Sequence, residues 1–261
     1  MRWLVPAVLA LLAGCAADAP EPAPRVLAAL GDSITRALNA AGPGERPASS
    51  WATGHDAADG VLSLAERLVA QAPGLSGNVH NLAQSGARMD DLPRQARLAV
   101  DARADAVVLL LGANDACASP MTDEAAFRAG FRAGAQVLRD GLPDDAVVYV
   151  ASFPNVSALR EAAWESAEVR ERWRLGRPCA EVLDENATHE RRAQTAARVE
   201  ALNRALMEEA ASFGFATDGL AVFRSEVEAA HLSRVDAFHP SLAGQAALAD
   251  VAWDASPWAQ R

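Results

Sequence analysis

Residues 106–115 read Ala106-Val107-Val108-Leu109-Leu110-Leu111-Gly112-Ala113-Asn114-Asp115. Six apolar residues in succession, stopped by a glycine, are the pattern of a strand buried on both faces; a half-exposed strand would alternate. Such strands belong to parallel sheets with helices on either side. Outward from this stretch the pattern repeats. Residues 26–30 (VLAAL) run into Gly31-Asp32-Ser33, and residues 79–83 (VHNLA) lead to Ser85-Gly86-Ala87. Residues 146–151 (AVVYVA) form a fourth strand and residues 215–217 (FAT) a weak fifth. Apolar residues at helical spacing predict helices over 61–70, 92–100, 125–138, 191–213 and 242–253, the last capped by Ser241. Residues 159–173, with Trp164 and Trp173 among acids and arginines, read as a surface helix or lid. Residues 42–60, rich in Gly, Pro and Ser, read as a long surface loop. Strand and helix in alternation predict an α/β fold with a mostly parallel sheet.

The chain has 261 residues and is 51% hydrophobic, enough for one full-sized domain with a sizeable core. We assign residues 26–261 to that domain. With 24 basic and 34 acidic residues the net charge is −10, which argues against nucleic-acid binding. Every basic residue is arginine, so chemistry that needs a Schiff-base or phosphate-loop lysine is excluded. At the N-terminus Arg2 precedes an apolar run, residues 3–13, too short for the roughly 20 residues a membrane span needs. The run ends in Leu12-Ala13-Gly14-Cys15, which resembles the bacterial lipobox. That resemblance implies a signal peptide over residues 1–14, lipidation of Cys15 and a lipidated tether over residues 15–25. It further implies an exported protein anchored to the cell envelope, at the outer membrane. Cys117 and Cys179 remain, and in an exported protein they are expected to pair; the competing reading is two buried free thiols.

In an open parallel sheet, ligands bind beyond the C-terminal ends of the strands. Ser33, Gly86 and Asn114 follow the first three strands, and Asp236-Ala237-Phe238-His239 precedes the last helix. A serine hydroxyl is a weak nucleophile until an imidazole takes its proton, and a carboxylate fixes the tautomer and orientation of that imidazole. Ser33, His239 and Asp236 have the chemistry for these roles. The oxyanion formed on attack needs convergent donors. The backbone N–H of Ser33, that of Gly86 and the side-chain amide of Asn114 suit that purpose.

In order, these blocks resemble the SGNH or GDSL hydrolases. Gly31-Asp32-Ser33-Ile34 matches the nucleophile block, with isoleucine in place of the usual leucine. The second block is Asn81-Leu82-Ala83-Gln84-Ser85-Gly86, with Ala83 where many relatives carry glycine. Gly112-Ala113-Asn114-Asp115 and Asp236-Ala237-Phe238-His239 match the third and the last. The resemblance implies a three-layer, flavodoxin-like α/β/α sandwich with a parallel sheet of about five strands. It implies hydrolysis of carboxylic esters through an acyl-enzyme, without cofactor or metal. There is no G-x-S-x-G elbow around Ser33, which disfavours the α/β-hydrolase fold.

Other readings are weaker. His189-Glu190 begins like a zinc-binding H-E-x-x-H, but position 193 is alanine. His55, His80 and His231 read as surface or loop residues. Trp51, Phe153 and Pro154 are candidate walls of a substrate pocket; the segment around Trp51 resembles that of lipase-like and phospholipase-like members. Lipid or other acyl esters are the favoured substrates. A carbohydrate O-acetylesterase and a non-catalytic surface lipoprotein are the alternatives.

Overall fold

The structure is a computed structural model and describes residues 24–259. The signal-peptide and Cys15 lipidation assignments lie outside the described residues, as does most of the 15–25 tether.

Five strands form one parallel sheet in the order β2-β1-β3-β4-β5: β1 (Leu27–Gly31), β2 (Val79–Asn81), β3 (Ala106–Leu110), β4 (Val147–Ala151) and β5 (Ala216–Thr217). The continuously apolar stretch is the central strand. β3 pairs with β1 from Leu27↔Ala106 to Gly31↔Leu110, and with β4 from Ala106↔Val147 to Leu110↔Ala151. All residues of β1 and β3 are buried.

The chain leaves β1 through α1 (Leu64–Gln71) to β2, then crosses back through α2 (Leu92–Asp101) to β3. A short α3 (Ala113–Ala116) and the long α4 (Glu124–Gly141) lead to β4. Beyond β4 come α5 (Val156–Ala163), α6 (Ala167–Gly176), α7 (Ala180–Leu183) and α8 (His189–Ser212), then β5, α9 (Ala221–Arg224) and α10 (Leu242–Asp254). The reversal of direction after β2 puts a topological switch between β1 and β3, where such sheets bind ligands. Right-handed crossovers place α2, α4 and α8 together on one face, with α1 and α10 on the other. A Cβ on Gly134 would fall 2.3 Å from Leu92 Cγ, so a glycine lets α4 press against α2. Helix starts follow the sequence: Ser63 and Glu66 form a capping box for α1, and Ser241 Oγ caps α10 through the Gly244 N–H.

Two sequence expectations need correction. The loop at 42–60 is not wholly a surface segment. Residues 49–54 are buried, with Trp51 sealed under the turn that follows β1. Gln245 of α10 makes this possible, since its Oε1 accepts from the Trp51 N–H (2.9 Å) and its Nε2 donates to Ile34 O (3.0 Å). A buried amide thereby satisfies backbone groups that an irregular loop would otherwise strand. The segment 159–173 is two helices, α5 and α6, rather than one. Trp173 is buried, and Trp164 stacks on it with ring centroids 6.4 Å apart.

Candidate active site

The turn after β1 places Ser33 at the switch point. Gln95 of α2, itself buried, fixes the end of the strand, accepting from Gly31 N–H (2.7 Å) and donating to Gly31 O (2.9 Å). A Cβ on Gly31 would lie 2.5 Å from Leu110 O, so β1 and β3 approach closely just before the serine. From the far end of the chain, the 236–239 turn brings His239 Nε2 to 2.9 Å from Ser33 Oγ. His239 Nδ1 lies 2.6 Å from Asp236 Oδ2. An ionised Asp236 only accepts, so the proton sits on Nδ1 and Nε2 is left to receive the serine hydroxyl. Burial pushes the Asp236 carboxyl up, but the hydrogen bond and charge of His239, with the Asn39 amide, outweigh it and hold the group at about 2. The triad expected from the sequence is assembled.

Of the expected oxyanion donors, Ser33 and Asn114 line the cavity, and Gly86 precedes Ala87, whose carbonyl accepts from Asn114. Asn114 lines the cavity with Ser33 and His239, and one of its amide protons goes to Ala87 O (2.9 Å), which fixes the plane of the side chain. Gly86 has φ +81°, a conformation that favours glycine, with open space where a Cβ would be. Among the described residues, neither the Ser33 nor the Gly86 N–H donates to another protein group. Asn81 plays a supporting part, donating to Thr35 O and to Thr53 Oγ1 (2.8 Å each).

The candidate pocket walls are brought together only in part. Pro154 lines the cavity beside Ser33. Trp51 and Phe153 do not, a correction to the sequence reading. Trp51 is fully buried with its indole 3.3 Å from Thr35 Oγ1, and Phe153 is a core residue whose ring fills the space beside Gly112. Much of the wall comes from residues 222–232 and 244–251, which no motif marks. His231 is among them, while His55 and His189 are exposed. No group of three metal-ligating side chains occurs among the described residues.

Cys117 and Cys179 are joined by a disulfide. Cys117 caps the C-terminus of α3, the helix that carries Asn114, and Cys179 caps the N-terminus of α7. The same α5–α7 segment reaches the triad a second time, where Trp173 Nε1–H donates to Ala237 O (3.0 Å). Ala237 has φ +54°, so this bond holds a left-handed residue in the turn that spaces Asp236 from His239.

Asp32, fully buried beside Ser33, is an expensive neighbour. Its Oδ1 accepts from Ile34 N–H (2.9 Å), but Oδ2 has no partner among the described residues. Burial, only partly offset by the Ile34 N–H and the charge of His239, raises it to about 6. Burial likewise raises Asp115 to about 6. Both groups bind protons more tightly folded than unfolded, so their stabilisation is full below about pH 4 and is lost as pH rises through about 6. Each ionisation then costs the fold on the order of 3 kcal/mol. Melting temperature should therefore fall between about pH 4 and pH 6.5, and Asp32→Asn should remove a large part of that fall. Identical slopes for parent and variant in calorimetry would contradict this.

The sequence profile of the GDSL-like lipase/acylhydrolase family matches residues 29–247, a span that includes all four blocks. No curated protein matches the chain significantly. Among solved structures, the chain resembles an extracellular lipase from Streptomyces rimosus (TM-score 0.54, 19% identity, 88% of this chain and 99% of that one). It also resembles the lipase/acylhydrolase from Enterococcus faecalis (TM-score 0.53, 19% identity, 87% and 92%) and the psychrotrophic esterase EstA from Pseudoalteromonas sp. (TM-score 0.50, 13% identity, 91% and 100%). At these identities the likeness is one of fold. The profile match covers most of the chain, which thus belongs to the GDSL-like lipase/acylhydrolase family of carboxylic ester hydrolases.

Proposed function

We propose that this enzyme hydrolyses esters of apolar, fatty-acid-like acyl groups, with Ser33 as nucleophile, His239 as general base and acid, and Asp236 as the group that orients it. The observation that carries the acyl preference is a 290 Å³ cavity opening on Ser33 and His239. Its walls are largely apolar, including Ile34, Val156, Leu159, Val222, Leu248 and Val251. Such a lining favours an alkyl chain through burial of apolar surface and offers few partners for sugar hydroxyls.

Ser33 Oγ attacks the acyl carbonyl carbon as its proton passes to His239 Nε2. The carbonyl electron pair moves to oxygen, facing the N–H groups of Ser33 and Gly86 and the free amide proton of Asn114. As the tetrahedral intermediate collapses, the ester C–O bond breaks and His239 returns its proton to the departing alkoxide. Water, deprotonated by the same nitrogen, then cleaves the acyl-Ser33 bond and releases the carboxylic acid.

The test is a p-nitrophenyl ester series from C2 to C16 on parent and Ser33→Ala protein. A maximum at C6 or longer, lost in Ser33→Ala, supports the proposal. A maximum at C2 would overturn the acyl preference and favour acetylated carbohydrates.

A further inference from the structure

Asn39 lies 197 positions from Asp236 in sequence, yet its Nδ2 donates to Asp236 Oδ2 at 2.6 Å. That oxygen is the one bonded to His239 Nδ1. We propose that Asn39 is a positioning residue for the hydrolytic reaction, holding the Asp236 carboxylate in the plane that aims His239 at Ser33. This inference rests on the triad reading above.

Each oxygen of the carboxylate is doubly held. Oδ1 accepts from the backbone N–H of Phe238 (2.9 Å) and of His239 (3.0 Å). Among the described residues, Oδ2 accepts from His239 and Asn39 alone. Removing Asn39 leaves Oδ2 to the imidazole and to solvent, and the Asp236 side chain is 24% exposed, so water can compete for it. Among the described residues no arginine pairs with Asp236, so no fixed cation substitutes for the amide.

The placement of Asn39 is itself over-determined, as a positioning group requires. Its φ is +60°, which asparagine tolerates better than most residues. Its Oδ1 accepts from Gly44 N–H (2.9 Å), and its backbone N–H donates to Gly44 O (2.8 Å). Its carbonyl accepts from Ser233 Oγ (2.7 Å). Ser233 is buried and in turn grips the triad turn, donating from its N–H to His239 O and accepting from the Ala237 N–H (2.8 Å each). The loop after the nucleophile and the turn bearing the acid and base are thus fastened through one residue. Asn39 does not line the acyl cavity, so its effect falls on the chemical step rather than on substrate binding.

Two variants of the full chain separate positioning from mere structure. Asn39→Gly suits the left-handed backbone and removes the amide; kcat should fall about tenfold with KM within about twofold, the loss of one hydrogen bond to a charged group. Asn39→Asp keeps the shape and the acceptor for Gly44 N–H but loses the donor and sets a like charge against Asp236. It should fall about 100-fold in kcat. A purely structural role predicts that Asn39→Asp, folded by its melting curve, keeps kcat within about twofold of the parent. That result, or losses confined to KM, would overturn the proposal. Should the glycine variant fail to fold, the isosteric Asn39→Asp decides alone. Ser33→Ala runs alongside: if it is inactive while the Asn39 variants match the parent, only the positioning role fails. If Ser33→Ala stays active, the triad reading falls and this inference with it.

Discussion

Replacing His239 by alanine is expected to lower kcat for a p-nitrophenyl ester by roughly 10⁵-fold or more, with the melting temperature within a few degrees of the parent. Among the described residues, the imidazole alone links Ser33 Oγ at 2.9 Å to the Asp236 carboxylate at 2.6 Å. Without it the serine proton has no acceptor during attack, and the alkoxide has no donor on leaving. A 10⁵-fold loss corresponds to about 7 kcal/mol of transition-state stabilisation, far more than any packing effect at a partly exposed site can supply. The acyl cavity keeps nearly all its lining, so KM should change little. A variant that retained a tenth of the parent's kcat would refute the role given to His239.

The second large effect concerns the disulfide. Cys117 and Cys179 are 62 residues apart, and closing a loop of that length stabilises by about 4 kcal/mol in the chain-entropy account. Reduction, or Cys117→Ser with Cys179→Ser, should lower the melting temperature by roughly 10 °C. It should also raise KM, because α5 supplies Val156 and Leu159 to the cavity and belongs to the segment the bond ties down. The tether joins the helix of Asn114 to that segment, so kcat falls as well, but less than with His239→Ala. Unchanged melting and kinetics after verified reduction would remove the disulfide from the account of the site.

The sheet and the four blocks were legible in the sequence for a physical reason. A fully buried strand must be continuously apolar, and the groups that react sit on tight turns at strand ends, where Gly31, Gly86 and Gly112 are visible. All three have positive φ. What escaped is what depends on distant partners. Trp51 looks like a pocket residue when its segment is read as an exposed loop; only Gln245, 194 positions away, explains why that loop can be buried. Phe153 follows a strand as Pro154 does, but the missing Cβ of Gly112 draws its ring into the core. Asn39 stands in a stretch without apolar periodicity, and nothing local announces its bond to Asp236. The cavity wall at 222–232 is short helix and turn, with too few residues for a periodic signal.

The walls of the cavity come mostly from residues 154–159, 222–232 and 238–251, while Ser33, Gly86 and Asn114 all lie before residue 115. Asp236 and His239 sit among these wall segments, in the turn 236–239, but most of the residues that would meet the acyl chain lie apart from the strand ends that carry Ser33, Gly86 and Asn114. Those strand ends are fixed by the register of the central strands, where a one-residue change would displace Ser33 or Asn114. The wall segments at 154–159 and 222–232 hang from those strands by helices, turns and one sulfur bridge, and can change their side chains without disturbing the strands or the turn 236–239. A lineage built on this plan can alter the molecules it consumes while its chemistry stays constant, and an engineer seeking a new acyl specificity has the same freedom.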